Sequence, residues 1–100
     1  NEHLISNPFS TFFLRVKGDS MINAGIKDKD LIIVDKSLIA KPGNIIIAMI
    51  DGEFTVKRLS INNNELYLKA ENHNYPDFKF KHNIDLQIWG VVIYSMHSYL

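Results

Sequence analysis

A chain of 100 residues, 46% apolar and 22% charged, has the length and composition of one globular domain with a single modest core. Eleven basic residues balance eleven acidic ones, so no net field draws it to nucleic acid or an anionic membrane, and any part in DNA metabolism runs through a protein partner. The absence of cysteine excludes disulfides, thiolate metal sites and cysteine nucleophiles, and fits a reducing compartment.

Residues 2–7 can form a helical turn or two, stopped at Asn7-Pro8 because a residue before proline disfavours the α region. From there β signals dominate. "TFFLRVK" (11–17) is aromatic and β-branched and is broken by Gly18. "DLIIVD" (30–35) is a short apolar run bounded by charge, as a strand buried on both faces would be. "KPG" (41–43) marks a turn. In "NIIIAMI-DG-EFTVKRLSI", Asp51-Gly52 is the two-residue pair of a tight hairpin, whose central residues both need positive φ. Asn62-Asn63-Asn64 reverses the chain again into "ELYLKAE", a loop follows around "NHNYPDF", and "LQIWGVVIYSM" reads as a closing strand. That strand is apolar on both faces from Trp89 to Met96 and is expected in the core and near a two-fold interface. No run is long enough to span a membrane, and neither a signal peptide nor an initiator methionine opens the chain, which reads as a fragment or a processed product.

The stretch "KGDSMINAG" (17–25) places a serine between two glycines. Ser20 is either a turn residue or a nucleophile, and a serine nucleophile needs a base. His3, His73, His82 and His97 all sit in polar or terminal settings and read as ordinary surface histidines. Lysine is the other candidate, provided burial disfavours its cation by roughly 4 to 5 kcal/mol, enough to bring a pKa of ~10.4 near neutrality. Lys57 fits best: strand period two puts Thr55, Lys57, Leu59 and Ile61 on one face, with Phe54 and Val56 on the other. Lys27, Lys29, Lys36 and Lys41 lie beside aspartates or in turns, and Lys17 is too close along one strand to fold back onto Ser20. On pattern alone, a Ser20–Lys57 dyad stands beside a lysine that merely snorkels to water.

"GDSMINAGIKDKDLIIVD" and, 37 positions from serine to lysine, "DGEFTVKRL" resemble the LexA/UmuD family of self-cleaving serine peptidases, most of all its UmuD members. The likeness extends through "NPFSTFFLRVKGDSM", "KPGNIIIAMIDGEFTVKRL" and "WGVVIY", nearly the whole chain. It implies a mostly-β, LexA/signal-peptidase-like fold of several coiled β-sheets with little helix, as one peptidase core over residues 1–100 with its N-terminal cleavage arm absent. Carried over, the nucleophile falls on Ser20, the general base on Lys57, and the oxyanion hole on the backbone N–H groups of Asp19 and Ser20. Gly18 would let the backbone bend so that those amides converge, while the Asp19 carboxylate faces water. Met21 and Ile22 read as packing residues at the cleft edge.

The family cuts between a small residue and glycine in an upstream arm. Ala24-Gly25 is such a pair but lies four residues past the nucleophile, so it is not the expected scissile bond. Where the family has Asp-Gly-Asp, this chain has Asp28-Lys29-Asp30, and a different turn type is expected.

Three functions follow from the resemblance. The first is self-cleavage stimulated by a RecA filament, after which the homodimer serves a UmuC-like error-prone polymerase in the cytoplasmic SOS response. The second is the self-cleaving C-terminal domain of a LexA-like or phage-type repressor. The third is a dimerisation and polymerase-docking module whose dyad is spent. No cofactor or metal is implied, because no phosphate loop and no metal-ligand spacing occurs.

Overall fold

The computed structural model describes residues 8–81 and 85–100. The expected turn at residues 2–7 lies outside them, as do His3 and His82. Seven strands are described: β1 (Thr11–Arg15), β2 (Leu31–Asp35), β3 (Ile45–Ile50), β4 (Glu53–Asn62), β5 (Glu65–Lys69), β6 (Phe78–Lys79) and β7 (Leu86–Met96). Among the described residues the helical content is one 3₁₀ turn, Ile22–Ala24. The protein is mostly β, as the sequence predicts.

The strands hydrogen-bond in the order β1-β2-β7-β3-β4-β5-β6, every pair antiparallel. The last strand is inserted between β2 and β3. Where several sheets were expected, hydrogen bonding links all seven into one, and β7 is the joint. Its residues 91–96 pair with β2 and its residues 86–91 with β3, so the two halves overlap only at Val91, opposite both Asp35 and Ile46.

That arrangement corrects the expectation of a buried closing strand. Gly90 and Val91 are buried, whereas Ile88, Trp89, Tyr94 and Met96 are exposed. Either side of the overlap, β7 has a neighbour on one edge only among the described residues, so its overhanging ends lack a second flanking strand there. At the overlap the strands approach closely. A Cβ on Gly90 would stand 2.6 Å from Val34 Cγ1 and 2.9 Å from the Asp35 carbonyl oxygen, so only glycine fits without displacement.

Both hairpin turns follow the sequence. Asp51 and Gly52 have φ of 48° and 87°, and Asn63 and Asn64 have φ of 52° and 62°, the left-handed pairs that match strand twist. Lys29 has φ of 71°, a left-handed conformation that costs about 1–2 kcal/mol for a residue with a Cβ.

Period two divides the core between the two faces of the sheet. Ile47 joins Val16, Met21, Ile26, Ile32 and Val34 on one side, and Ile46 and Ala48 join Leu59, Leu68 and Val91 on the other. Each large aliphatic side chain removed from water contributes about 1.5–3 kcal/mol. Consecutive isoleucines in β3 thus fasten the sheet to two cores, and β4 runs alongside with Lys57 opposite Ile46 and Val56 opposite Ile47.

Candidate active site

Ser20 stands in a loop between β1 and the 3₁₀ turn, fixed from below and from the side. Gly18 takes φ of 90° and its N–H donates to Asp28 Oδ1 at 2.7 Å, a bend that a β-carbon would strain. One residue past Ser20, Met21 is 1% exposed and is part of the first core rather than the cleft edge, so it pins the loop by burial. Ile22, expected to pack beside it, is 39% exposed. The turn continues with Ile22 N–H to the Asp19 carbonyl at 3.1 Å and Ala24 N–H to the Met21 carbonyl at 3.0 Å. Ala24-Gly25 lies inside this hydrogen-bonded turn, with Gly25 left-handed at φ 87°, and is not an extended segment.

Beneath the loop, the Asp30 carboxylate is almost wholly buried, accepts Lys27 N–H at 2.8 Å and contacts His97 Nδ1. Burial by itself would raise its pKa; the Lys27 N–H and His97 outweigh burial and hold the carboxyl below its ordinary range. His97, read from the sequence as a plain surface residue, thus ties the chain end to the turn under the nucleophile loop. His73 is exposed as expected.

Lys57 arrives from β4. Its Nζ is 3.1 Å from Ser20 Oγ and 3.1 Å from the Val56 carbonyl oxygen, to which it donates. The side chain is half-buried, and burial lowers its pKa from the ordinary lysine value. Among the described residues no carboxylate forms an ion pair with it. Arg58, on the opposite face of the strand, takes the ion pair with Glu71 instead. The predicted face is largely as read: Thr55 is half-buried and Leu59 buried, although Ile61 is exposed. Lys17, Lys27, Lys29, Lys36 and Lys41 are all exposed.

Lys57 opens onto a cleft of about 640 Å³ lined by Ile50, Phe54, Thr55, Tyr75 and Pro76 among others. A smaller hollow of about 180 Å³ beside it holds Ser20, Leu14 and Val16, and shares Phe54 and Thr55. The reason for an open cleft is topological. β5 pairs with β4 only from Arg58 to Asn62, so the stretch Glu53–Lys57 has β3 on one edge and no strand on the other among the described residues.

Four hydrogen bonds absent from the sequence reading hold the far wall. Asn72 is 7% exposed; its Nδ2 donates to the Asp19 carbonyl at 3.0 Å and its Oδ1 accepts Asn74 N–H at 3.0 Å. The Tyr75 hydroxyl donates to Asp19 Oδ1 at 2.7 Å, which pushes the phenol pKa up. Asn23 N–H donates to the Glu71 carbonyl at 2.8 Å. The Asp19 carboxylate therefore has a protein partner rather than facing only water. A lone Asn and a lone Tyr in an irregular loop carry no periodic signal that would have marked them. Among the described residues no three His, Cys, Asp or Glu side chains converge as a metal site would, and no helix is long and apolar enough to cross a membrane.

The antiparallel sheet thus sets the Ser20 hydroxyl against a half-buried lysine, beside a strand edge that is unpaired among the described residues. The Peptidase S24-like family matches residues 1–93, and the chain belongs to that family. Protein ImpA of Salmonella typhimurium is 40% identical over 97 residues, 97% of this chain and 66% of that protein. Protein MucA of Escherichia coli is 40% identical over 97 residues, 96% of this chain and 66% of that protein. The LexA repressor of Oleidesulfovibrio alaskensis is 48% identical over 82 residues, 82% of this chain and 40% of that repressor. The chain thus spans just under two thirds of the first two relatives.

Proposed function

We propose that the chain is a serine peptidase core in which Ser20 is the nucleophile and Lys57 the general base. The observation that carries this reading is the 3.1 Å approach of Lys57 Nζ to Ser20 Oγ by an amine that burial desolvates and that no carboxylate among the described residues neutralises. With one N–H engaged by the Val56 carbonyl, the neutral amine keeps its lone pair for the serine proton. Ser20 Oγ attacks the scissile carbonyl, Lys57 takes the hydroxyl proton, and the backbone N–H groups of Asp19 and Ser20 receive the oxyanion. The ammonium then returns the proton to the leaving amine, and water hydrolyses the acyl-enzyme by the reverse route. A substrate chain would lie extended along the open edge of Glu53–Lys57 as an added strand.

The family membership and the ImpA and MucA likenesses support a wider role. The full-length protein cleaves itself on a RecA filament, and the shortened homodimer joins a UmuC-like error-prone polymerase for synthesis across DNA lesions. Balanced charge supports DNA contact through that partner rather than by this domain. The exposed Trp89, Tyr94 and Met96 of β7 supply apolar surface for a dimer. The 48% identity to a LexA repressor supports the second reading, a repressor's self-cleaving C-terminal domain. The sequence upstream in the intact gene product separates the two: a short arm for the accessory subunit, a helix-turn-helix domain for the repressor.

The test is cleavage in trans. This chain is incubated with a full-length family member whose own nucleophile is replaced. Cleavage by wild type and none by Ser20→Ala is expected; equal cleavage by both would refute the assignment.

A further inference from the structure

The Asp19 carbonyl oxygen accepts two hydrogen bonds, from Ile22 N–H at 3.1 Å and from Asn72 Nδ2 at 3.0 Å. The peptide unit it belongs to also carries the Ser20 N–H, and a trans peptide points its carbonyl and its N–H in opposite directions. Whatever anchors the carbonyl therefore aims the amide. Among the described residues neither the Asp19 nor the Ser20 N–H has a hydrogen-bond partner, so both are free to meet a developing oxyanion.

The anchor is well built. Asn72 is 7% exposed, and its Oδ1 is occupied by Asn74 N–H, which leaves Nδ2 as the only end that can face Asp19. Tyr75, three residues on, holds the same residue by its side chain, and its own N–H returns to the Asn72 carbonyl at 3.0 Å. The two grips act at different atoms of Asp19 and together remove the rotation that would swing the peptide plane. No other side chain among the described residues bonds Asp19.

We propose that Asn72 and Tyr75 are positioning residues for the reaction: they lock the Asp19–Ser20 peptide so that its N–H faces the oxyanion. The inference rests on the dyad reading above and deepens it. Neither residue hydrogen-bonds Ser20 Oγ or Lys57 Nζ, so their loss weakens oxyanion stabilisation and leaves proton transfer within the dyad intact.

Two reactions of this chain separate those effects. In the first, an alkyl fluorophosphonate labels Ser20: Oγ bonds to phosphorus, the P–F bond breaks, fluoride leaves, and the hydroxyl proton passes to Lys57. The phosphoryl oxygen needs the oxyanion donors. In the second, Ser20→Cys is alkylated by iodoacetamide: sulfur displaces iodide, and the rate follows thiolate formation by Lys57 with no oxyanion involved. Asn72→Asp, nearly isosteric but unable to donate, is expected to slow fluorophosphonate labelling about 10- to 100-fold. In the Ser20→Cys background it should leave alkylation within about twofold. Tyr75→Phe, at a more exposed site that tolerates the change, should slow labelling about threefold with alkylation likewise unchanged. Parallel slowing of both reactions, or slowing of neither, overturns the proposal. If wild type is not labelled at Ser20 at all, the dyad reading itself falls, and the positioning role with it.

Discussion

Gly90→Ala isolates the joint that holds the sheet together. The new Cβ would meet Val34 Cγ1 at 2.6 Å and the Asp35 carbonyl oxygen at 2.9 Å, against about 3.5–4.0 Å for carbon atoms at their optimum. Neither neighbour can yield cheaply. Val34 is 0% exposed in the first core, and Asp35 is held by three hydrogen bonds to its carboxylate. Overpacking of this kind costs about 1–3 kcal/mol, and an overlap near 1 Å against a fully buried side chain, with backbone also too close, belongs at the upper end. Removing glycine's freedom in the unfolded chain returns about 0.4–1 kcal/mol, since Gly90 does not use a left-handed φ. The net loss is about 2 kcal/mol, or a fall of about 8–16 °C in Tm for a domain of this size. Thermal unfolding by circular dichroism and a urea midpoint should agree on it. An unchanged midpoint would mean that β2 and β7 separate freely there, and the close crossing would be wrong.

Lys57→Met should raise stability at neutral pH while slowing the reaction of Ser20 by about 10²–10⁴-fold. Burial lowers the folded-state pKa below the unfolded value of about 10.4, so the unfolded chain holds the proton more tightly. The penalty is fully present below the folded pKa and fades as pH rises through that value towards 10.4. Unfolding curves should therefore show the Met variant ahead at pH 7 and its lead shrinking in alkali; a constant lead would show that ionisation is not its cause. Asp35→Asn tests the acid side. The Ser37 hydroxyl, first, and then the Ser37 N–H and Ser10 hold the Asp35 carboxyl below its ordinary range against the opposing effect of burial. That stability is present above about pH 3.9 and lost as pH falls through the folded value, so the substitution should cost about 2 kcal/mol at neutral pH and little in strong acid. A cost independent of pH would assign the effect to packing.

Strand pattern and turn chemistry made β2, β3, β4 and both hairpins legible, because burial on one or both faces leaves a period of two and left-handed turns demand Asp-Gly or Asn-Asn. The same period singled out Lys57 as the candidate lysine, and the family resemblance paired it with Ser20. β6 was missed because a two-residue strand has no period, and the exposure of β7 because an apolar strand does not reveal how many neighbours it will have. The contacts of Asn72 and Tyr75 with Asp19 span 53 and 56 residues, and that of His97 with Asp30 spans 67. Such polar pairs depend on loop placement and leave no local trace.

The most direct measurement is the pH dependence of Ser20 phosphonylation in wild type and in Lys57→Met. A neutral Lys57 acting as base predicts a rate that climbs about tenfold per pH unit and levels off below pH 10.4, with the variant slower by about 10²–10⁴-fold and lacking that plateau. A wild-type profile that follows the variant's, or that never levels off, would contradict the assignment of Lys57 as the base.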